Sequence, residues 1–136
     1  MQPEARFKQR VDKAFDRLFL NQGGWRTAIE KGRGQKSGLP DRLYCAPPHH
    51  VWVESKIDSP KLDPLQDKVC RTLSLAGMNV ATATFYPHSD TIAWAAYNHQ
   101  GELHPGFTFT PIGHIKELNF WSLLLTCKLH SHLAAL

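Results

Sequence analysis

Apolar residues recur at Phe7, Val11, Phe15 and Leu18, the i, i+4, i+8, i+11 spacing of one stripe along a helix. The spacing predicts a helix over residues 3–20, with Pro3 suited to its first turn. Asn21-Gln22-Gly23-Gly24 closes it. The segment WRTAIEK (25–31) reads as a short strand, and GRGQKSGLP (32–40) as a glycine-rich basic loop. That loop lacks the GxxxxGK[ST] spacing of a phosphate loop. Pro40 pushes its predecessor out of helical geometry. DRLYCA (41–46) then reads as a strand beginning at Asp41 and broken by Pro47-Pro48. HVWVESKI (50–57) is rich in β-branched residues and predicts a second, clearer strand.

Further on, Asp63-Pro64 has the form of a helix N-cap followed by proline at the first helical position. The helix would run to residue 76 with Leu65, Val69, Leu73 and Ala76 on its inner face, and stop at Gly77. NVATATFYP (79–87) predicts another strand. Residues 91–111 read as a strand, a turn at Asn98–Gly101 and a short partner, and 114–129 as a closing helix. Helix, strands, helix and strand in this order predict a mixed α/β domain whose sheet is covered by helices. The helix at 64–76 can carry the chain across for parallel pairing of the strands around 50 and 86.

The 136 residues suit a single domain, 1–136, with a core that needs no disulfides. The formal charge of +4 mildly favours an anionic partner such as nucleic acid. Cys45, Cys70 and Cys127 are odd in number and form no CxxC pair, which suits reduced thiols and a cytoplasmic setting. The start of the chain lacks the apolar core of a signal peptide. The most apolar run, NFWSLLLTC (119–127), is too short to span a bilayer, so no membrane role is expected.

Candidate chemistry comes from the alternation of side chains along 51–57. Val51, Val53, Ser55 and Ile57 share one face, while Trp52, Glu54 and Lys56 share the other. Glu54 and Lys56 therefore project side by side, about 6.5–7 Å apart. One reading is a salt-bridged pair on a solvated sheet face. The other brings in Asp41, which antiparallel pairing of the two strands would place near Glu54 and Lys56. Two carboxylates at one strand end repel unless a cation lies between them. Oxygen ligands of this kind suit Mg²⁺ or Mn²⁺. Such an ion polarises a phosphoryl oxygen and acidifies water, while Lys56 orients or deprotonates the water or neutralises charge on the phosphate. Glu4 lies three residues before Phe7, on or beside the buried stripe. It is either an N-terminal acid stabilised by the helix dipole or a member of the same site.

Pro40-Asp41 followed by Glu54-Ser55-Lys56 resembles the PD-(D/E)XK nuclease superfamily. SGLPDRL, HVWVESKID, KLDPLQ and a helix ending in LAGMNV are similar to its VRR-NUC branch, in the small stand-alone form found in phages and bacteria. The resemblance covers roughly residues 4–86; residues 87–136 match no part of that pattern. It implies a restriction-endonuclease-like core of order helix–strand–strand–strand–helix–strand, a mixed sheet flanked by helices. It implies that Asp41, Glu54 and the backbone carbonyl of Ser55 hold one or two Mg²⁺ or Mn²⁺ ions, joined by Glu4. Lys56 would be the catalytic lysine and Gln66 the helix glutamine that supports the site. Ser55 stands where a β-branched residue is usual and should face away from the site. The implied activity is metal-dependent hydrolysis of DNA, selective for branched structures such as four-way junctions, by a homodimer. A flap- or nick-cutting nuclease, a non-catalytic DNA-binding module on the same fold, and a structural protein with an ordinary Glu54–Lys56 salt bridge are the alternatives.

Arg33, Lys36, Arg42 and Lys61 flank these motifs and would contact phosphates, which positions DNA without reading its bases. Arg6, Lys8, Arg10, Lys13 and Arg17 spread around the first helix and are expected to be mostly solvated. Trp25 and Trp52 are expected in the core, and Trp52 shares the face of Glu54, which also suits packing beside the substrate. Among eight histidines, His49-His50 and the HxH pair His130 and His132 lack further ligands at zinc spacing.

Overall fold

The first helix, α1 (Pro3–Phe19), forms where the apolar stripe predicts it. Phe7, Val11, Ala14, Phe15 and Phe19 are buried, with Leu18 packed against them. The structure, a computed structural model, describes residues 2–29 and 38–109. A short 3-10 turn, Leu20–Gln22, and Gly23 at φ +81° lead into β1 (Trp25–Ala28). There follow β2 (Arg42–Ala46), β3 (His49–Ile57), α2 (Pro64–Leu75), β4 (Val80–Tyr86), β5 (Thr91–Tyr97) and β6 (Leu103–Phe109).

The six strands form one sheet in sequential order, β1-β2-β3-β4-β5-β6. Only β3 and β4 are parallel, with Glu54 beside Thr82 and Lys56 beside Thr84. The other pairs are antiparallel. That single parallel pair is the one joined through α2, because a parallel connection has to traverse the sheet while a hairpin does not. The expected order, and the parallel pairing around residues 50–57 and 79–86, are both present. The turn at 98–101 and its partner strand are present too, whereas the closing helix expected at 114–129 lies outside the described residues.

Helix α1 covers one face of the sheet. Its apolar stripe packs on Tyr44 of β2, Val51 and Val53 of β3, Ala81 and Ala83 of β4, and Ile92 and Trp94 of β5. Phe7 stacks on Phe85 with ring centroids 5.2 Å apart, and Arg10 lies over the same ring. Helix α2 covers the opposite face, where Cys70, Val80 and Tyr97 form a smaller cluster with Trp52, Leu62, Leu73 and Met78. Burial of each large apolar side chain contributes roughly 1.5–3 kcal/mol, so α1 and its cluster dominate the cohesion of the domain.

Several boundaries and one face differ from expectation: α1 ends at Phe19 rather than residue 20, and β4 spans Val80–Tyr86 rather than 79–87. β2 starts at Arg42 rather than Asp41, which sits in the bend before it; β3 starts one residue early, at His49; and α2 ends at Leu75. The most deeply buried residues of α2 are Gln66, Cys70 and Ser74, and of the expected Leu65, Val69, Leu73 and Ala76 it is Leu73 that packs against the α2 cluster. Leu65 and Ala76 are exposed and Leu73 only partly buried. The cause is polar. Gln66 is drawn toward the sheet by hydrogen bonds, and Cys70 and Ser74 follow at i+4 and i+8. Leu65 and Val69 turn instead toward Gly38, whose φ is +87°.

Candidate active site

Asp41 reaches the site from the bend before β2. Its side chain is 7 % exposed. Antiparallel pairing of Arg42 with Val53 brings it alongside β3. Oδ2 accepts a hydrogen bond of 3.0 Å from the amide of Ser55, the peptide that joins Ser55 to Glu54. Oδ1 takes the ammonium of Lys8 at 3.1 Å. The backbone thus fixes one oxygen of the carboxylate, and a side chain of α1 neutralises the other.

Glu54 projects to the α2 face and is 1 % exposed. A carboxylate at that depth requires hydrogen bonds and a counter-charge. Gln66 Nε2 donates to Glu54 Oε1 over 3.0 Å, and Lys56 Nζ lies 3.9 Å from the same oxygen. Lys56 also donates to Gln66 Oε1 at 2.8 Å while its side chain remains 21 % exposed. The ammonium therefore has a fixed anchor and still reaches solvent. Burial of Glu54 removes the reading of a salt bridge on a solvated sheet face.

Gln66 is placed by the start of α2. Asp63 is the N-cap and accepts from the Gln66 amide at 2.8 Å; the Gln66 side chain accepts from the Asp63 amide at 3.1 Å. This reciprocal capping box satisfies two helix-end donors. It also leaves the same side-chain amide aimed at Glu54 and Lys56.

The structure therefore gathers Glu54 and Lys56 of β3 with Gln66 at the start of α2, and places Asp41 at the amide of Ser55. Ser55 is buried on the α1 face, and its amide serves Asp41. Glu4 ion-pairs with Lys8 at 3.5 Å and is 47 % exposed, so it lies beside the stripe and joins Asp41 only through that lysine. Among the described residues, no group of three or more His, Cys, Asp or Glu side chains comes together as a metal cluster.

Of the residues expected at phosphates, Arg42 is turned inward: its Nε donates to Asp12 Oδ1 at 3.1 Å, and its side chain is 15 % exposed. Lys61 is exposed near Ser59. Arg33 and Lys36, with His130 and His132, lie outside the described residues. Trp25, expected in the core, is instead 56 % exposed on β1, whereas Trp52 is partly buried against the smaller cluster.

Two residues at or beneath this site have no part in the sequence motifs. Lys8 is 19 % exposed, not solvated as the spread of basic residues suggests; Arg6, Lys13 and Arg17 are exposed as expected. Asp12 is buried at 6 % and receives Tyr44 Oη at 2.7 Å, Arg42 Nε and Arg26 Nη1. Burial, with Asp12 next in effect, pushes the Tyr44 hydroxyl well above its usual range. The available signal was spacing: Lys8 and Asp12 follow Glu4 at i+4 and i+8, flanking the apolar stripe.

No family model matches the sequence, and no curated protein matches it. Among solved structures, the chain is similar to Hjc of Archaeoglobus fulgidus, a Holliday junction resolvase from an archaeal hyperthermophile. The two share 13 % identity with a TM-score of 0.52, over 87 % of this chain and 98 % of that one. At that identity the likeness speaks to architecture, and the fold is restriction-endonuclease-like.

Proposed function

We propose that the protein is a divalent-metal-dependent DNA endonuclease, selective for branched DNA in the manner of a Holliday junction resolvase. The observation that carries this reading is the buried Glu54, held by Gln66 and Lys56, with a second buried acid, Asp41, bound to the amide of the next residue, Ser55. Two carboxylates of that depth form a hard-oxygen donor set. Lys8 already places a cation against one of them, so the site accepts positive charge. The set fits Mg²⁺ or Mn²⁺, which bind through one or two carboxylates and complete their shell with water and substrate phosphate. Asp41 and Glu54 would hold the ion, with the Ser55 carbonyl and Glu4 as further candidates from the motif. Bound there, the ion would polarise a phosphoryl oxygen and lower the pKa of water.

The chain's own groups do the rest. Lys56 presents a fixed ammonium to solvent and neutralises charge that develops on phosphate oxygens. Gln66 sets its direction through a 2.8 Å hydrogen bond and keeps Glu54 in place. The net charge of +4 suits a polyanionic substrate. The resolvase-like architecture favours four-way junctions, and their two symmetric cuts favour a homodimer.

Cleavage of a four-way junction, a flap and a linear duplex tests the reading, with Mg²⁺, Mn²⁺ or EDTA, using the wild type and Lys56→Ala. The expected result is metal-dependent cutting of the junction that the variant loses. Preference for the flap would move the specificity to that class. DNA binding without cutting in either metal would leave a binding module, and neither binding nor cutting would end the nuclease reading.

A further inference from the structure

We propose that Lys8 is a resident counter-cation of the acid cluster, which a divalent ion must displace in order to bind Asp41. This rests on the metal-binding reading above. Asp41 is buried, and its two oxygens have different partners. Oδ2 is fixed by the Ser55 amide at 3.0 Å, a contact set by the pairing of β2 with β3. Oδ1 is paired with a side chain of α1, Lys8 Nζ at 3.1 Å. A buried carboxylate needs compensation, and Lys8 supplies it. A metal ion on Oδ1 would sit within a few ångströms of that ammonium, and like charges so close in a partly buried site repel strongly.

Lys8 is built to yield. The ammonium is a point charge on a flexible four-carbon stem. Glu4 lies one helical turn earlier, 3.5 Å from the same Nζ and 47 % exposed. Rotation of the side chain alone carries the charge toward Glu4 and solvent, with no change in α1. A purely structural pairing between α1 and the bend at Asp41 makes the opposite prediction. Loss of Lys8 would then loosen Asp41 and weaken metal binding or leave it unaltered.

Mn²⁺ titration of the full chain, followed by the resonance of the free ion and by thermal melting, separates the two. Lys8→Met keeps the length of the side chain and removes its charge. It is expected to bind Mn²⁺ roughly tenfold more tightly than the wild type. It should melt lower than the wild type without metal and gain more from added Mn²⁺. Lys8→Gln retains a donor for Asp41, folds more readily, and should show the same tightening at smaller size. Equal or weaker Mn²⁺ affinity in whichever variant folds would overturn the proposal. Asp41→Asn separates this failure from failure of the metal reading. If the wild type binds Mn²⁺ and Asp41→Asn does not, the metal site stands and only the role of Lys8 falls. If the wild type and both lysine variants bind none, both fall. Binding by Lys8→Met alone would support the displacement in its strongest form.

Discussion

The side-chain nitrogen of Gln66, Nε2, lies 3.0 Å from Oε1 of Glu54, across the gap between the start of α2 and the middle of β3. The same side chain accepts from Lys56 and from the Asp63 amide. One residue thus closes a helix cap, donates to one oxygen of a buried acid and aims an ammonium. Gln66→Ala removes all three contacts. The expected loss of stability is about 1–3 kcal/mol, from the cap and the stranded carboxylate. Under the proposed function, cleavage should fall about 10- to 100-fold, as on removal of a residue that orients a metal-site group. Urea unfolding and single-turnover cleavage measure the two. Full activity in the variant would mean that Lys56 and Glu54 keep their geometry without the amide.

Asp12 serves the scaffold beneath the site. It gathers Tyr44, Arg42 and Arg26 where α1 meets β1 and β2. Removing one partner from a buried charge network leaves the others uncompensated, a loss of roughly 3–5 kcal/mol. Asp12→Ala is therefore expected to destabilise the domain by about that amount in urea unfolding. The effect should exceed that of Asp16→Ala, because Asp16 meets Arg26 at 33 % exposure. Comparable losses in the two variants would show that the network is not cooperative.

Much of this architecture was legible in the sequence because it depends on periodicity. The stripe of α1, the alternation of β3 and the Asp63-Pro64 cap each follow from local rules. The approach of Asp41 to β3 followed from antiparallel pairing, and its 3.0 Å bond from the Ser55 amide shows that approach. The inward face of α2 was not legible. An apolar count favours Leu65 and Val69, whereas tertiary hydrogen bonds to Gln66 set the rotation. Lys8 and Asp12 were hidden for the same reason. A charged residue beside an apolar stripe is ordinarily solvated, and these two gain their tertiary partners from Asp41 in the bend before β2, from Arg42 and Tyr44 of β2 and from Arg26 of β1.

Asp67 and Tyr97 make the stability of the α2 face sensitive to pH at both extremes. Tyr97 Oη donates to Asp67 Oδ1 at 2.7 Å, and Arg71 pairs with the same carboxylate. The Tyr97 hydrogen bond, with Arg71, holds the Asp67 carboxyl below its usual value. The folded state then binds fewer protons than the unfolded state, so stability is present above the unfolded pKa and lost as pH falls through the folded one. Burial, followed by the Asp67 hydrogen bond, pushes the Tyr97 hydroxyl far upward. Its contribution is present below the ordinary tyrosine pKa, about 10, and is lost as pH rises beyond it. Asp67→Asn should flatten the acid limb of melting temperature against pH, and Tyr97→Phe the alkaline limb. An unchanged acid limb in Asp67→Asn would assign acid sensitivity to Asp16, whose carboxyl is likewise lowered, chiefly by its hydrogen bond with Arg26.

Gly38 couples the bend that carries Asp41 to the helix that carries Gln66. It adopts φ +87°, and a Cβ there would stand 3.0 Å from Leu65 Cγ, the Leu65 carbonyl oxygen and Val69 Cγ2. The side chains can shift, but the carbonyl belongs to the first turn of α2 and moves only with the helix. Gly38→Ala therefore combines about 1 kcal/mol of left-handed backbone strain with displacement of α2. Gly23 provides the control, since its φ is +81° and nothing lies within 4 Å of its Cβ position. Gly23→Ala should show the strain alone, about 1 kcal/mol in urea unfolding, with cleavage unchanged. Gly38→Ala should exceed that loss and reduce cleavage as well, because the Leu65 carbonyl is one residue from Gln66. Equal stability losses with unchanged cleavage in both variants would mean that α2 absorbs the added methyl without moving Gln66.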